Sequence, residues 1–111
     1  VSSQAALHPE HPMRDYAQIA PLALRGDASA TLATLRTNVA AMPGAHIVKS
    51  DSDYLYAQFT TRWLGFVDDT ELCFDPSAGV MQVRSSSRVG RQDFGVNRAR
   101  IEAIRAQLAG S

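Results

Sequence analysis

Only one cysteine, Cys73, stands among the 111 residues, so no disulfide can close within the chain. A zinc site is disfavoured for the same reason. His8, His11 and His46 have no second cysteine or nearby acid cluster to join them, and the first two lie in the polar, proline-containing stretch HPEHPM, which reads as loop. Neither sign of charge is in excess, with 11 basic and 11 acidic residues, so there is no global pull toward nucleic acid or an anionic membrane. No apolar run approaches the roughly 18 residues of a spanning helix, and the opening VSSQ has no secretory pattern. GRQDFG at 90–95 lacks the Walker spacing and its lysine. No nucleophile-elbow motif surrounds any serine. No cofactor is implied.

What is present is the composition of a globular chain, 45% hydrophobic and 20% charged, of a size that buries one sizeable core. Residues 1–15, VSSQAALHPEHPMRD, have no periodicity and two prolines, and read as an extended arm before a single domain at 16–111. YAQIAPLAL (16–24) carries Pro21 and is at best a short edge strand. RGDAS (25–29) signals a helix start with Asp27 or Ser29 as N-cap. Leu32, Leu35, Val39 and Met42 then form one helical stripe until Pro43-Gly44, which predicts a helix over 29–42.

From 45 the period becomes two. AHIVK (45–49) is a strand and SDSD (50–53) a turn. Leu55, Ala57, Phe59, Thr61 and Trp63 share one face of the next strand. Thr70, Leu72 and Phe74 share a face of the third, DPSAG (75–79) is a turn, and Met81 and Val83 face inward on the fourth. Ile101, Ile104 and Leu108 mark a closing helix near 95–109, with Asp93 or Asn97 placed to cap it and Arg98, Arg100, Glu102 and Arg105 on its flanks. The fold class is therefore α+β: an antiparallel four-stranded meander, with 16–24 as a candidate fifth edge strand, and two helices packed on one face as a two-layer sandwich.

Alternation also sets an expected register. Pairing Asp75 with Val80 puts Phe74 opposite Met81, Leu72 opposite Val83, Glu71 opposite Arg84 and Asp69 opposite Ser86. For the preceding hairpin, a four-residue loop LGFV pairs Trp63 with Asp68, Phe59 with Leu72, Ala57 with Phe74, Thr60 with Glu71 and Arg62 with Asp69. The outward face then carries Arg62, Asp69, Glu71, Arg84 and Arg88 in alternating sign. Asp68 faces the other way.

Candidate functional residues gather in 84–98. Ser85 and Ser87 fall on core parity, and Asn97 lies beside the apolar stripe; buried polar groups need partners. Ser87, Asp93, Asn97 and Arg98 could close a structural hydrogen-bonded corner. Alternatively Arg84, Ser85, Ser87, Arg88, Asp93, Asn97 and Arg98 form a site for an anion or partner, a glycine-containing turn entering a helix being a generic anion site. An enzyme would need Ser85 or Ser87 with His46 and Asp93, or a cation on Asp69 and Glu71. A non-catalytic binding or scaffold module is preferred, with a small anionic ligand, a lipid or a protein as partner. Nucleic acid is not expected, because Tyr54 and Tyr56 share their face with acids.

The stretch VDDTELCFDPSAGVMQVRSSSRVGRQDFGVNRARIEAIR resembles the signature of a bacterial and plastid family known as domain of unknown function 1499. The likeness extends upstream through IAPL (19–22), the helix ending MPG, DYLYAQFTTRWLGF (53–66) and VSSQ (1–4). Arg91 departs from the tyrosine usual in that family, and Ser86 from the alanine. The resemblance implies no activity. It does imply a periplasmic or other cell-envelope, lipoprotein-like setting, with a leader and a Pro-Asn-Cys segment preceding VSSQ, whose cysteine could pair with Cys73.

Overall fold

A computed structural model describes residues 1–3, 19–60, 66–88 and 95–110. Five strands and two helices follow in the order β1 (Leu22–Ala23), α1 (Ala28–Ala40), β2 (Ala45–Ser50), β3 (Tyr54–Thr60), β4 (Val67–Asp75), β5 (Val80–Ser87) and α2 (Val96–Ala109). The sheet order is β1-β5-β4-β3-β2, and every pairing is antiparallel. The expected meander is β2 to β5, and the fifth strand is the two-residue β1 beside β5.

Local chemistry explains the element ends. The Asp27 carboxylate accepts from Ala30 N at 2.7 Å and caps α1, satisfying one of the free N–H groups of the first turn. The helix stops at Ala40, so Met42 lies beyond it, half-buried against the core. In the β4–β5 turn, Asp75 Oδ1 accepts from Ser77 N at 3.0 Å and Ala78 N at 3.2 Å. Gly79 supplies a φ of +66, a conformation that favours glycine. The β2–β3 hairpin is closed by Asp51 N donating to Tyr54 O at 2.8 Å, and β2 carries a bulge between Ile47 and Lys49.

Both helices lie over the inner sheet face and touch one another. Inner-face rows run across the strands: Leu22–Met81–Phe74, then Leu55–Leu72–Val83, then Ala57–Thr70–Ser85, then Phe59–Asp68–Ser87. The rows pass from apolar to polar along the sheet. Helix α2 follows the same gradient, burying Leu108, Ile104 and Ile101 and finally Asn97. One core thus has a greasy end and a hydrogen-bonded end.

The β4–β5 register is the expected one at every pair named above. The β3–β4 register is not. Leu55, not Phe59, lies opposite Leu72; Ala57 lies opposite Thr70, Tyr56 opposite Glu71 and Gln58 opposite Asp69. The strand β3 ends at Thr60 paired with Val67, so the connection is longer than LGFV; Arg62 and Trp63 lie outside the described residues. The slip is even, so each side chain keeps its face and alternation alone cannot detect it. The true register sets Phe59 beside Asp68, where both meet Arg100.

Gly44 tests the packing of the α1–β2 turn. Its φ is +76, and a Cβ there would lie 2.5 Å from Thr60 O. Gly79 also has positive φ but nothing within 4 Å. Urea unfolding should therefore show Gly44→Ala costing about 2 kcal/mol or more, and Gly79→Ala only about 1 kcal/mol, the left-handed penalty without the clash.

Candidate functional site

The residues singled out in 84–98 divide among three places. Ser85, Ser87 and Asn97 face inward, Arg84 and Arg88 face outward, and Arg98 sits on a flank of α2. Asp93 lies outside the described residues.

The inward group forms a continuous network. Asn97 is fully buried, 0% exposed. Its Oδ1 accepts from Ser85 Oγ at 2.6 Å and from Arg100 Nη1 at 2.9 Å, and its Nδ2 donates to Ser87 Oγ at 3.1 Å. Because Arg100 can only donate, the amide orientation is fixed. Ser85 has one hydroxyl hydrogen, which goes to Asn97, so Thr70 Oγ1 must be the donor in its 2.7 Å contact with Ser85 Oγ. Arg100 Nη1 also donates to Asp68 Oδ2 at 2.9 Å, with the two side chains 11% and 4% exposed. The guanidinium lies over the Phe59 ring, 4.3 Å from its centroid, a favourable cation–π placement. Among the described residues, no buried side-chain polar atom lacks a partner.

This corrects the expected capping of the closing helix. Its N-cap is Gly95, with φ 78 and no side-chain bond. Asn97 is two residues inside the helix and points down to the sheet, so it ties Ser87 to α2 without capping it. Asp68, Thr70 and Arg100 are the members that sequence reasoning missed. Arg100 was placed among the flank decorations, yet its spacing of three from Asn97 put both on one face, over a strand where Asp68 shares the parity of Thr70 and Leu72.

The outward face carries a second group. Arg88 binds Asp69 with both ends of its fork, Nε to Oδ2 at 2.8 Å and Nη2 to Oδ1 at 3.0 Å, the strong bidentate geometry. Tyr56 Oη donates to Asp69 Oδ1 and accepts from Gln58 Nε2 at 3.2 Å and from Arg88 Nη2 at 3.3 Å. The Arg88 hydrogen bonds hold the Asp69 carboxyl below the usual carboxylate range, with help from Tyr56, and outweigh the opposing effect of partial burial. Arg84 approaches Glu71 only to 3.7 Å, and its side chain is 62% exposed. Cys73, exposed on the same face, has its thiol pushed up by partial burial and by the Asp53, Asp75 and Glu71 carboxylates.

Arg98 lines an open cleft of about 420 Å³ with Ser3, Ile19, Ala20, Pro21 and Glu102. Arg105 fastens the segment leading to β1 alongside, donating to Pro21 O at 2.7 Å and Ala20 O at 2.6 Å.

His46 and Ser85, named for an enzymatic alternative, lie apart. His46 pairs with Gln58 on the outward face of the edge strand β2, whereas Ser85 is inward on β5, with β3 and β4 between them. Asp69 and Glu71 share the outward face, but an arginine already stands against each. Among the described residues no three His, Cys, Asp or Glu side chains group as a metal site, and no helix is long and apolar enough to cross a membrane.

A family model described as "Protein of unknown function (DUF1499)" matches residues 1–108. The chain belongs to the DUF1499 family. No curated protein and no solved structure matches it. In this DUF1499 chain residues 84–88 alternate, with Ser85 and Ser87 in the buried network and Arg84 and Arg88 on the outward face.

Two outcomes follow. In denaturant titrations Asp68→Ala should cost about 3–5 kcal/mol, because it strands a buried guanidinium. Asp68→Ala with Arg100→Met should lose less than the sum of the singles, whereas additive losses would mean that the pair is not coupled. The second outcome concerns Asp69. A carboxylate held below its unfolded pKa of about 3.9 contributes stability above that pH and loses it as pH falls through the lower folded value. An NMR titration of the Asp69 carboxyl carbon should give a midpoint below that of a free carboxylate, and Arg88→Ala should raise it.

Proposed function

We propose that this chain is a non-catalytic binding or scaffold module of the cell envelope, and that its outward sheet face receives an anionic group at Arg84. The observation that supports this reading is the different engagement of the candidate side chains. Ser85, Ser87 and Asn97 satisfy one another inside the fold. Arg88 is committed to Asp69 and Tyr56. Arg84 alone of the described outward pair is mostly exposed, and its 3.7 Å approach to Glu71 is too long for a hydrogen bond. An exposed ion pair of that kind is worth about 0–1 kcal/mol, so a phosphate or carboxylate oxygen can compete for the guanidinium and gain a charge-assisted, bidentate contact.

The envelope setting rests on the family resemblance alone. Exposed Cys73 suits pairing with a cysteine upstream of VSSQ, as that resemblance implies. Arg98 is a second cation for the same class of ligand, but it borders the cleft at the edge of the sheet and would serve a different contact.

Thermal unfolding in the presence of inorganic phosphate or sulfate tests the reading. At low ionic strength either anion should raise the Tm of the parent, and the rise should fade in about 0.5 M sodium chloride as screening shortens. Arg84→Ala should leave the Tm without anion nearly unchanged, since the side chain is exposed, and should remove most of the anion response. An equal response in the parent and in Arg84→Ala, or none in the parent, would contradict the assignment.

A further inference from the structure

The two arginine–carboxylate pairs of the outward face are closed to different degrees. Arg88 and Asp69 share a bidentate contact, and Tyr56 Oη donates to the same carboxylate. Arg84 and Glu71 stand directly opposite one another on β5 and β4, yet approach only to 3.7 Å, with side chains 62% and 38% exposed. No hydrogen bond is made at that distance, so neither group saturates the other. Their immediate cross-strand neighbours bring no further charge. Val1–Ser3 lies along β5 through main-chain bonds to Ser85 and Val83, which sets Ser2 opposite Arg84. On the other side Tyr56 lies opposite Glu71, its hydroxyl proton given to Asp69. The Tyr54 phenol is pushed up first by burial, then by the charge of Glu71 and a hydrogen bond to it. A carboxylate has about four acceptor sites, so that bond leaves room for a further donor.

We propose that the Arg84–Glu71 pair binds a small zwitterion, its phosphate on Arg84 and its primary ammonium on Glu71, as in a phosphoethanolamine group. The inference rests on the reading of Arg84 as an anion site and names the ligand class of that site. An anion alone takes the guanidinium but leaves the Glu71 carboxylate unmatched beside a second negative charge. A ligand that also carries an ammonium keeps both protein charges paired. The ammonium is primary because Glu71 accepts hydrogen bonds and, when ionised, offers none. The span follows from the register. Side chains of directly opposite residues start about 5 Å apart, so the ligand charges need a bridge longer than the single carbon of an α-amino acid. Phosphate oxygens meet a guanidinium fork in more than one orientation, which suits a side chain as exposed as Arg84.

The test is an NMR titration of the full chain at low ionic strength with O-phosphoethanolamine and with n-propyl phosphate, in which a methyl replaces the ammonium. The parent should bind phosphoethanolamine about fivefold more tightly, the upper range for an exposed ion pair. Glu71→Gln frees Arg84 for any anion, so both affinities will shift; the ratio between the ligands is the decisive quantity, and it should fall to about one. Arg84→Ala should remove binding of both. Vesicles give the source of the group: sedimentation with phosphatidylethanolamine but not phosphatidylcholine vesicles, lost in Glu71→Gln, supports a lipid headgroup, and binding of free phosphoethanolamine alone supports a soluble or glycan-borne one. Equal affinities in the parent, both lost in Arg84→Ala, overturn the zwitterion and leave the anion site standing. A preference for phosphoethanolamine that survives Glu71→Gln overturns the role of Glu71. Binding of neither ligand by the parent overturns this inference and the anion site together.

Discussion

The side chain of Asn97 is the point on which the two layers depend. It is fully buried and meets β5 through Ser85 and Ser87, while Arg100, which it also holds, reaches β4 through Asp68. A buried amide left without partners costs more than the hydrogen bonds it forms would gain, so the arrangement tolerates one rotation and one register. Sliding α2 along the sheet would break contacts to two strands at once. An apolar helix face on an apolar sheet face has no such preference. Ile101, Ile104 and Leu108 supply the driving force for packing, and Asn97 with Arg100 makes the packing specific. Strand β3 is fixed in the same way. Phe59 stacks under Arg100 opposite Asp68, and a slip of the strand would take the ring away from the cation.

A closed network has consequences for where function can reside. The hydroxyls and amide that made 84–98 look like a site hold the corner together, and no described buried polar atom is left over for a ligand. The strand nevertheless serves both faces. Alternation sends Ser85 and Ser87 inward and Arg84 and Arg88 outward, so neighbouring residues serve the core and the surface with a period of two. On the outward side Asp69 and Tyr56 immobilise Arg88, whereas Arg84 meets Glu71 only at 3.7 Å and is the more exposed of the two.

Much of this was legible in the sequence, and the reasons are local. The 75–79 turn has a proline, an Asx-type acceptor and a terminal glycine, which together allow one hairpin geometry, and the β4–β5 register followed. The stripes at Leu32, Leu35 and Val39 and at Ile101, Ile104 and Leu108 gave both helices and the face they bury. The β3–β4 register was illegible because an even slip preserves parity, and the quantity that discriminates it, a cation over Phe59, involves a helix some forty residues away in the chain. Asn97 looked like a cap because asparagine near a helix start usually is one. The αL conformation of Gly95 begins the helix without a side-chain cap and frees Asn97 to point inward. That Ser85 would be buried with a partner could be read from parity; that its partners would be Thr70 and Asn97 could not. The seating of Val1–Ser3 on β5 likewise had no signal beyond extended character.

The central claim is that α2 is locked to β4 and β5 by a polar cluster that opens only when the fold does. Native-state hydrogen exchange at the Asn97 side-chain amide and the backbone amide of Thr70, on the interior strand β4, measures this directly. The account predicts that both exchange at the rate set by global unfolding, with a denaturant dependence equal to that of the whole chain. Exchange of the Asn97 amide by a local opening with little denaturant dependence, while Thr70 stays protected, would contradict it.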